Sequence, residues 1–185
     1  MAWIETIHET DADGELKEIY DEIMGARGKM SNIMRVHSLN PEAMKRHMDF
    51  YLTIMFGRSG LRRAERELIG TVVSVANACP YCKHHHAEAL NFYWKDDDRI
   101  ARLLENYRSA DLSPRELALA GFCDDLTRNP GAASEEKTAA LREHGLSDKD
   151  ILDATLITGY FNFVNRVALG LGVEFSQEEM QGFNY

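Results

Sequence analysis

Residues 62–90 read Arg-Arg-Ala-Glu-Arg-Glu-Leu-Ile-Gly-Thr-Val-Val-Ser-Val-Ala-Asn-Ala-Cys-Pro-Tyr-Cys-Lys-His-His-His-Ala-Glu-Ala-Leu. Apolar residues recur at spacings of three and four (Leu68, Ile69, Val72, Val73), the period of a helix face rather than of a strand. Pro80 cannot continue a helix without breaking a hydrogen bond, but its fixed φ suits the first position of a new one. The stretch therefore reads as two helices, 62–78 and 80–94. Cys79 stands at the start of the second and Cys82 lies in its first turn.

The same period runs outward in both directions. Met44, Met48, Tyr51, Leu52 and Met55 form a stripe in 41–56, and Leu117, Ala120, Gly121, Asp124 and Leu126 form a looser one in 114–128. The segment 148–171 is more uniformly apolar, as expected of a helix central to a core or an interface. Ser113-Pro114-Arg115-Glu116 is a capping box with Pro at the first helical position, and Ser147-Asp148-Lys149-Asp150 is a similar start. Gly145 fits the end of a helix over 134–144. Further helices are expected at 13–25 and 96–107, with irregular ends at 1–12 and 174–185. No Asn-Gly or Asp-Gly turn joins alternating strands. The expected fold is all-α, one domain over 1–185, with an N-terminal helical arm at 13–57 and a core at 61–172. Leu61, Leu112 and Leu146 each precede two or three polar residues and an acid at a helix start. Either a remnant duplication or the general chemistry of helix starts accounts for that phrase.

Composition narrows the function. The chain has 185 residues, 44% hydrophobic and 28% charged, enough for a substantial core. Lys and Arg total 21 against 30 Asp and Glu, a net charge of −9, which disfavours nucleic acid and anionic membrane as partners. No apolar run is long enough to span a bilayer, and the start lacks the pattern of a signal peptide, so a cytoplasmic location is expected. There thiols stay reduced, and a close pair such as Cys79 and Cys82 reads as redox chemistry or metal binding rather than a structural staple.

At a helix N-terminus, amide N–H groups and the dipole favour a thiolate. Two cysteines three apart in a first turn can close a disulfide reversibly. His86, four residues beyond Cys82, shares its face and can exchange a proton with it. Glu67 stands twelve residues before Cys79, about 120° away on one straight helix, so it reaches the site only if the chain bends near Pro80. Buried among apolar neighbours, its carboxyl would have a raised pKa suited to a proton shuttle. Alternatively, Glu67 pairs with an Arg such as Arg63 or Arg166. Zinc is a further alternative, with Cys79, Cys82 and His86 as ligands and Cys123 a distant fourth. The run His84-His85-His86 does not bind one ion, because consecutive helical side chains diverge by about 100°. His85 is a spare partner for Cys82. Cys123 reads as a small buried apolar residue, and Asn162, Asn165 and Arg166 as hydrogen-bonded core or subunit contacts.

The order Glu67, Cys79, Cys82, His86 resembles the catalytic signature of the alkylhydroperoxidase D (AhpD)-like, carboxymuconolactone decarboxylase-related superfamily, and more narrowly its peroxidase-related branch. Trp3-Ile4, Val36-His37-Ser38-Leu39-Asn40-Pro41, Glu65-Arg66-Glu67, Asn77, Tyr81-Cys82 and Asn165-Arg166 carry the same likeness. The resemblance implies an AhpD-like helical bundle, usually a trimer or hexamer, acting as a thiol-dependent peroxidase. Cys82 would be the peroxidatic thiol, Glu67 and His86 its proton relay, and Cys79 the resolving thiol. The substrate would be hydrogen peroxide or an organic hydroperoxide, and the reductant an external dithiol such as a lipoylated protein. No cofactor and no metal are implied. The best-characterised members carry His where this chain has Tyr81, a poor base at neutral pH that could still orient a water or peroxide. Comparison with thioredoxin-like pairs would make Cys79 the attacker instead. The other functional readings are a carboxymuconolactone decarboxylase-like lyase and a non-catalytic redox or zinc-binding module.

Overall fold

The computed structural model describes residues 2–180, 182 and 183, without the side chains of residues 177 and 178. Among these residues the chain is helical, with no strand. In order the helices are α1 (Gly14–Arg27), α2 (Asn32–Arg35), α3 (Pro41–Phe56), α4 (Arg63–Ala76), α5 (Pro80–Trp94), α6 (Asp97–Glu105), α7 (Pro114–Arg128), α8 (Glu135–Glu143), α9 (Asp148–Gly170) and α10 (Gln177–Met180). The all-α expectation holds, and the long helices lie where the periodicity puts them. Two one-turn helices, α2 and α10, were not anticipated; a single turn is too short to show a period.

Helix starts follow local chemistry. Asn40 caps α3 by accepting from the Ala43 N–H, and Asp96 caps α6 by accepting from Arg99 N–H. The recurrent phrase resolves into capping: Glu65 accepts from the Arg62 N–H at 2.7 Å, Glu116 from Ser113 at 2.9 Å and Asp150 from Ser147 at 3.0 Å. Each acid closes back on the residue three before it, which by itself accounts for the likeness of the three starts.

The helix buried all round is α4, not α9. Every residue from Glu65 to Ser74 is buried, because α5, α7 and α9 enclose α4. In α9, Ile151, Ala154, Ile157, Phe161, Val164 and Ala168 face the core, whereas Leu152, Leu156, Phe163 and Leu169 are exposed. Its uniform apolarity thus serves a core face and an uncovered one. In α7 the expected stripe is rotated: Leu119, Ala120 and Cys123 are buried and Leu117 is exposed, because the buried cap acid Glu116 sets the register of the helix.

The N-terminal helices carry an apolar cluster of their own, with Leu16, Ile19, Tyr20 and Ile23 of α1 against Met44 and Met48 of α3. The residues before α1 are pinned rather than loose: Trp3 N–H donates to the Leu171 carbonyl, and the Tyr20 hydroxyl donates to the Ile7 carbonyl. The Trp3 indole fills the space beside Gly172, whose φ of +60° suits glycine and where a Cβ would fall 2.2 Å from the ring. Among the described residues, no helix is long and apolar enough to cross a membrane.

Candidate active site

The bend that the site needs lies two residues before Pro80. Helix α4 ends at Ala76, Ala78 takes a left-handed φ of +52°, and α5 starts at Pro80 and folds back along α4. The approach is close because residue 70 is glycine. A Cβ there would lie 2.9 Å from the His86 ring and 3.0 Å from Phe161. His86 Nδ1 consequently reaches Glu67 Oε2 at 2.8 Å, although 19 residues separate the two.

Glu67 is 1% exposed, and both of its oxygens are engaged. Arg63 donates to Oε1 at 3.0 Å, and His86 takes Oε2. Two charge-assisted bonds offset the several kcal/mol that an unpaired buried carboxylate would cost. The arginine alternative is therefore realised together with the histidine contact, not instead of it. Arg166 turns elsewhere, donating to the carbonyl and side chain of Asn162. Since the carboxylate holds His86 Nδ1–H, the ring keeps Nε2 as its basic nitrogen.

Cys79 is the N-cap of α5, and its sulfur accepts from the Cys82 N–H at 3.4 Å. The two sulfurs are 2.8 Å apart, and both cysteines are free thiols. The Cys82 thiol beside it, aided by the Cys82 and Tyr81 N–H groups, holds the Cys79 thiol below its ordinary value against the effect of burial. Sharing its hydrogen with Cys79 pushes Cys82 up, and burial adds to the rise. Access is distributed the other way. Cys82 lines a cavity of about 90 Å³, and Cys79 sits behind it, 0% exposed. Cys123 is also fully buried, and burial pushes its thiol up to about 12.

That cavity lies where the N-terminal helices meet α4, α5 and α9. Glu67, Cys82 and His86 form one wall, and His47, Tyr51, Tyr160 and Phe161 stand among the others. Tyr81 and His85 also line it but are tied to the C-terminal segment. The Tyr81 hydroxyl donates to Glu179 Oε1 at 2.9 Å and accepts from the Ile33 N–H at 3.1 Å. Glu179 Oε2 lies 2.5 Å from His85 Nε2. Both hydrogen-bonding directions of the phenol are thus occupied. Behind the cysteines, Asn77 donates to Asn162 and Asn165, and the fully buried Asn165 bonds Ser74. Among the described residues, no three His, Cys, Asp or Glu side chains are grouped to hold a metal ion.

Sequence reasoning passed over Glu179, His47 and Tyr160, and named His37 only within the segment that carries the family likeness. Glu179 sits in a segment expected to be irregular. His47 bonds the Tyr160 hydroxyl at 2.6 Å, and His37 lies 3.3 Å from His47. The available signal was a polar tip within an apolar stripe, on α3 for His47 and on α9 for Tyr160.

The sequence profile of the Carboxymuconolactone decarboxylase family matches residues 41–125. An uncharacterized peroxidase-related protein from Silicibacter sp. TM1040 has a crystal structure similar to this chain, with 31% identity, a TM-score of 0.84, and coverage of 94% of this chain and 92% of that one. The AhpD core of a peroxidase-related protein from Ralstonia eutropha JMP134 aligns with a TM-score of 0.88 and 26% identity, over 97% of this chain and 94% of that one. The uncharacterized protein YdfG of Bacillus subtilis is 28% identical over 145 residues, 77% of this chain and 96% of its own length.

Proposed function

The chain belongs to the alkylhydroperoxidase D and carboxymuconolactone decarboxylase superfamily, and on that premise we propose that it is a thiol-dependent peroxidase for hydrogen peroxide or organic hydroperoxides. The observation that carries the reading is the His86–Glu67 hydrogen bond in the wall of the cavity that Cys82 lines. It supplies a base, a group that orients the base, and a sulfur at one opening.

In this reading Cys82 is the attacking sulfur, because it faces the cavity. The two thiols lie 2.8 Å apart, close enough to be joined once one of them is oxidised. Attack begins when Cys82 passes its hydrogen to His86 Nε2, the basic nitrogen of the ring. The Cys82 thiolate forms an S–O bond to the terminal peroxide oxygen as the O–O bond breaks. Sulfur is oxidised to sulfenic acid and the peroxide is reduced to alcohol or water. His86, held by Glu67, delivers that same proton to the leaving oxygen. Cys79 then displaces water from the sulfenic acid and closes the disulfide. An external dithiol, of the kind carried by a lipoylated protein, returns both thiols, so no separate cofactor is needed. A resting dithiol fits a cytoplasmic setting. The uncovered face of α9, with Leu152, Leu156 and Phe163, is where we place self-association into a trimer or hexamer. A decarboxylase would have no use for two adjoining sulfurs, one of them at a cavity wall.

The test is free-thiol titration before and after stoichiometric peroxide, with metal analysis alongside. The expected result is loss of the Cys79 and Cys82 thiols, abolished in Cys82→Ser and slowed about 100-fold in Glu67→Gln. Bound zinc with unreactive thiols, or a response that survives Cys82→Ser but not Cys79→Ser, would overturn the reading or exchange the two roles.

A further inference from the structure

Three side chains outside the Cys82–His86–Glu67 set run in one line from the cavity wall toward α2. His37 Nδ1 lies 2.9 Å from the Ile33 carbonyl, which can only accept, so that nitrogen carries the hydrogen. His37 Nε2 is then an acceptor, and His47 Nδ1, 3.3 Å away, donates to it. His47 Nε2 is in turn an acceptor, and the Tyr160 hydroxyl donates to it at 2.6 Å. Burial keeps both rings neutral, holding His37 below its ordinary value and His47 down at about 3. The carbonyl end thus fixes the direction of every bond, and the line cannot conduct a proton past Ile33.

The consequence falls on Tyr160. Its hydroxyl hydrogen is committed to His47, and among the described residues no group donates to its oxygen. Tyr160 and Cys82 line the same cavity. Two other polar groups of the wall are engaged: both oxygens of Glu67 accept bonds, and the Tyr81 hydroxyl is bonded in both directions.

We propose that Tyr160 is the substrate-positioning acceptor of this site, taking the hydrogen of a terminal O–H group, with His47 and His37 as the positioning residues that keep the phenol turned. For a hydroperoxide, which rests on the peroxidase reading above, this holds the oxygen that Cys82 attacks. The terminal hydrogen stays on that oxygen and ends on the sulfenic acid, the O–O bond breaks, and the leaving oxygen takes its proton from His86. The arrangement selects peroxides that bear an O–H over dialkyl peroxides, which have none to donate.

The experiment measures binding of two apolar probes of similar size, 2-phenyl-2-propanol, which carries an O–H donor, and acetophenone, which can only accept. Wild-type chain, Tyr160→Phe and His47→Leu are compared, with the fold followed by circular dichroism. The wild type should favour the alcohol by about tenfold, and Tyr160→Phe should lose that preference. His47→Leu, which frees the phenol hydrogen to point into the cavity, should shift it toward acetophenone. With cumene hydroperoxide as substrate, Tyr160→Phe should raise KM about tenfold with kcat nearly unchanged. A purely structural Tyr160 would not move the probe preference. Equal affinity of the wild type for the two probes, binding of neither, or an undiminished alcohol preference in Tyr160→Phe overturns the proposal. A wild type that shows the Tyr160-dependent preference yet loses no thiol to cumene hydroperoxide upholds the acceptor and removes the peroxidase reading. Thiol loss to the peroxide with no effect of Tyr160→Phe on preference or KM does the reverse.

Discussion

Gly70→Ala separates the packing of the site from its chemistry. The added methyl would sit 2.9 Å from His86 Cγ and Nδ1 and 3.0 Å from Phe161. Ordinary carbon contacts begin near about 3.5 Å, so the imidazole must move by roughly 0.6 Å or more. The atoms in the way lie near the root of one side chain and on a packed ring, so a terminal rotation does not relieve the contact. The same displacement stretches the 2.8 Å bond from His86 Nδ1 to Glu67 beyond good geometry. Overpacking costs about 1–3 kcal/mol, and removing a glycine from a helix interior returns about 1 kcal/mol. Net destabilisation should therefore be at most about 2 kcal/mol, read as a shift in the guanidinium midpoint at constant m-value. The proposed proton relay has no such compensation, and the rate of peroxide-driven thiol loss should fall about 100-fold, as for removal of a general acid–base group. Stopped-flow thiol oxidation beside equilibrium unfolding makes both readings. A folded Gly70→Ala chain that oxidises at the wild-type rate would refute the idea that the His86–Glu67 contact drives the reaction.

Three further outcomes follow from the buried groups. Burial lowers His47 to about 3 in the folded chain, against an ordinary 6.5. The unfolded chain binds the extra proton between those values, so this contribution is complete above about 6.5 and is lost as pH falls toward 3; unfolding midpoints of His47→Gln should show a flatter slope across that window. Burial opposes it, but the Arg62 N–H and Arg115 still hold Glu65 below the usual carboxylate range, so its contribution is present above about 4.5 and lost as pH falls through the folded value. Glu65→Gln should cost about 2 kcal/mol at pH 7 and less in acid, measured by denaturant titration at both pH values. Cys123, pushed up to about 12 by burial, should take up iodoacetamide only on unfolding, seen as a mass increase confined to its peptide.

How far the site could be read from the sequence depended on the range of the interaction. Pro80, the two cysteines and His86 are neighbours within the first two turns of one helix, and their chemistry follows from spacing alone. The bend was legible too, because proline forbids the continuous helix, although the left-handed turn falls at Ala78. The Glu67–His86 contact was legible only as a condition, since whether α5 returns along α4 depends on Gly70 and on the helices that press the two together. Helix register was the weaker reading: in α7 the polar Glu116 is buried and the apolar Leu117 exposed, because a cap bond outweighed hydrophobic pattern. Tyr81, expected as an auxiliary at the site, has its hydroxyl tied to Glu179, 98 residues away, a pairing no local pattern announces.

The sequence by itself determined the helices, their caps and the thiol pair at a helix start, because each is a matter of backbone geometry and neighbours within a turn or two. Tertiary packing alone decided which sulfur meets the cavity, that α4 rather than α9 is enclosed, and that Tyr160, His47 and His37 form a line with one direction. Those outcomes depend on desolvation and on partners brought from distant parts of the chain. A buried group's chemistry is set by what surrounds it in space, and the one-dimensional order of residues does not contain that distance.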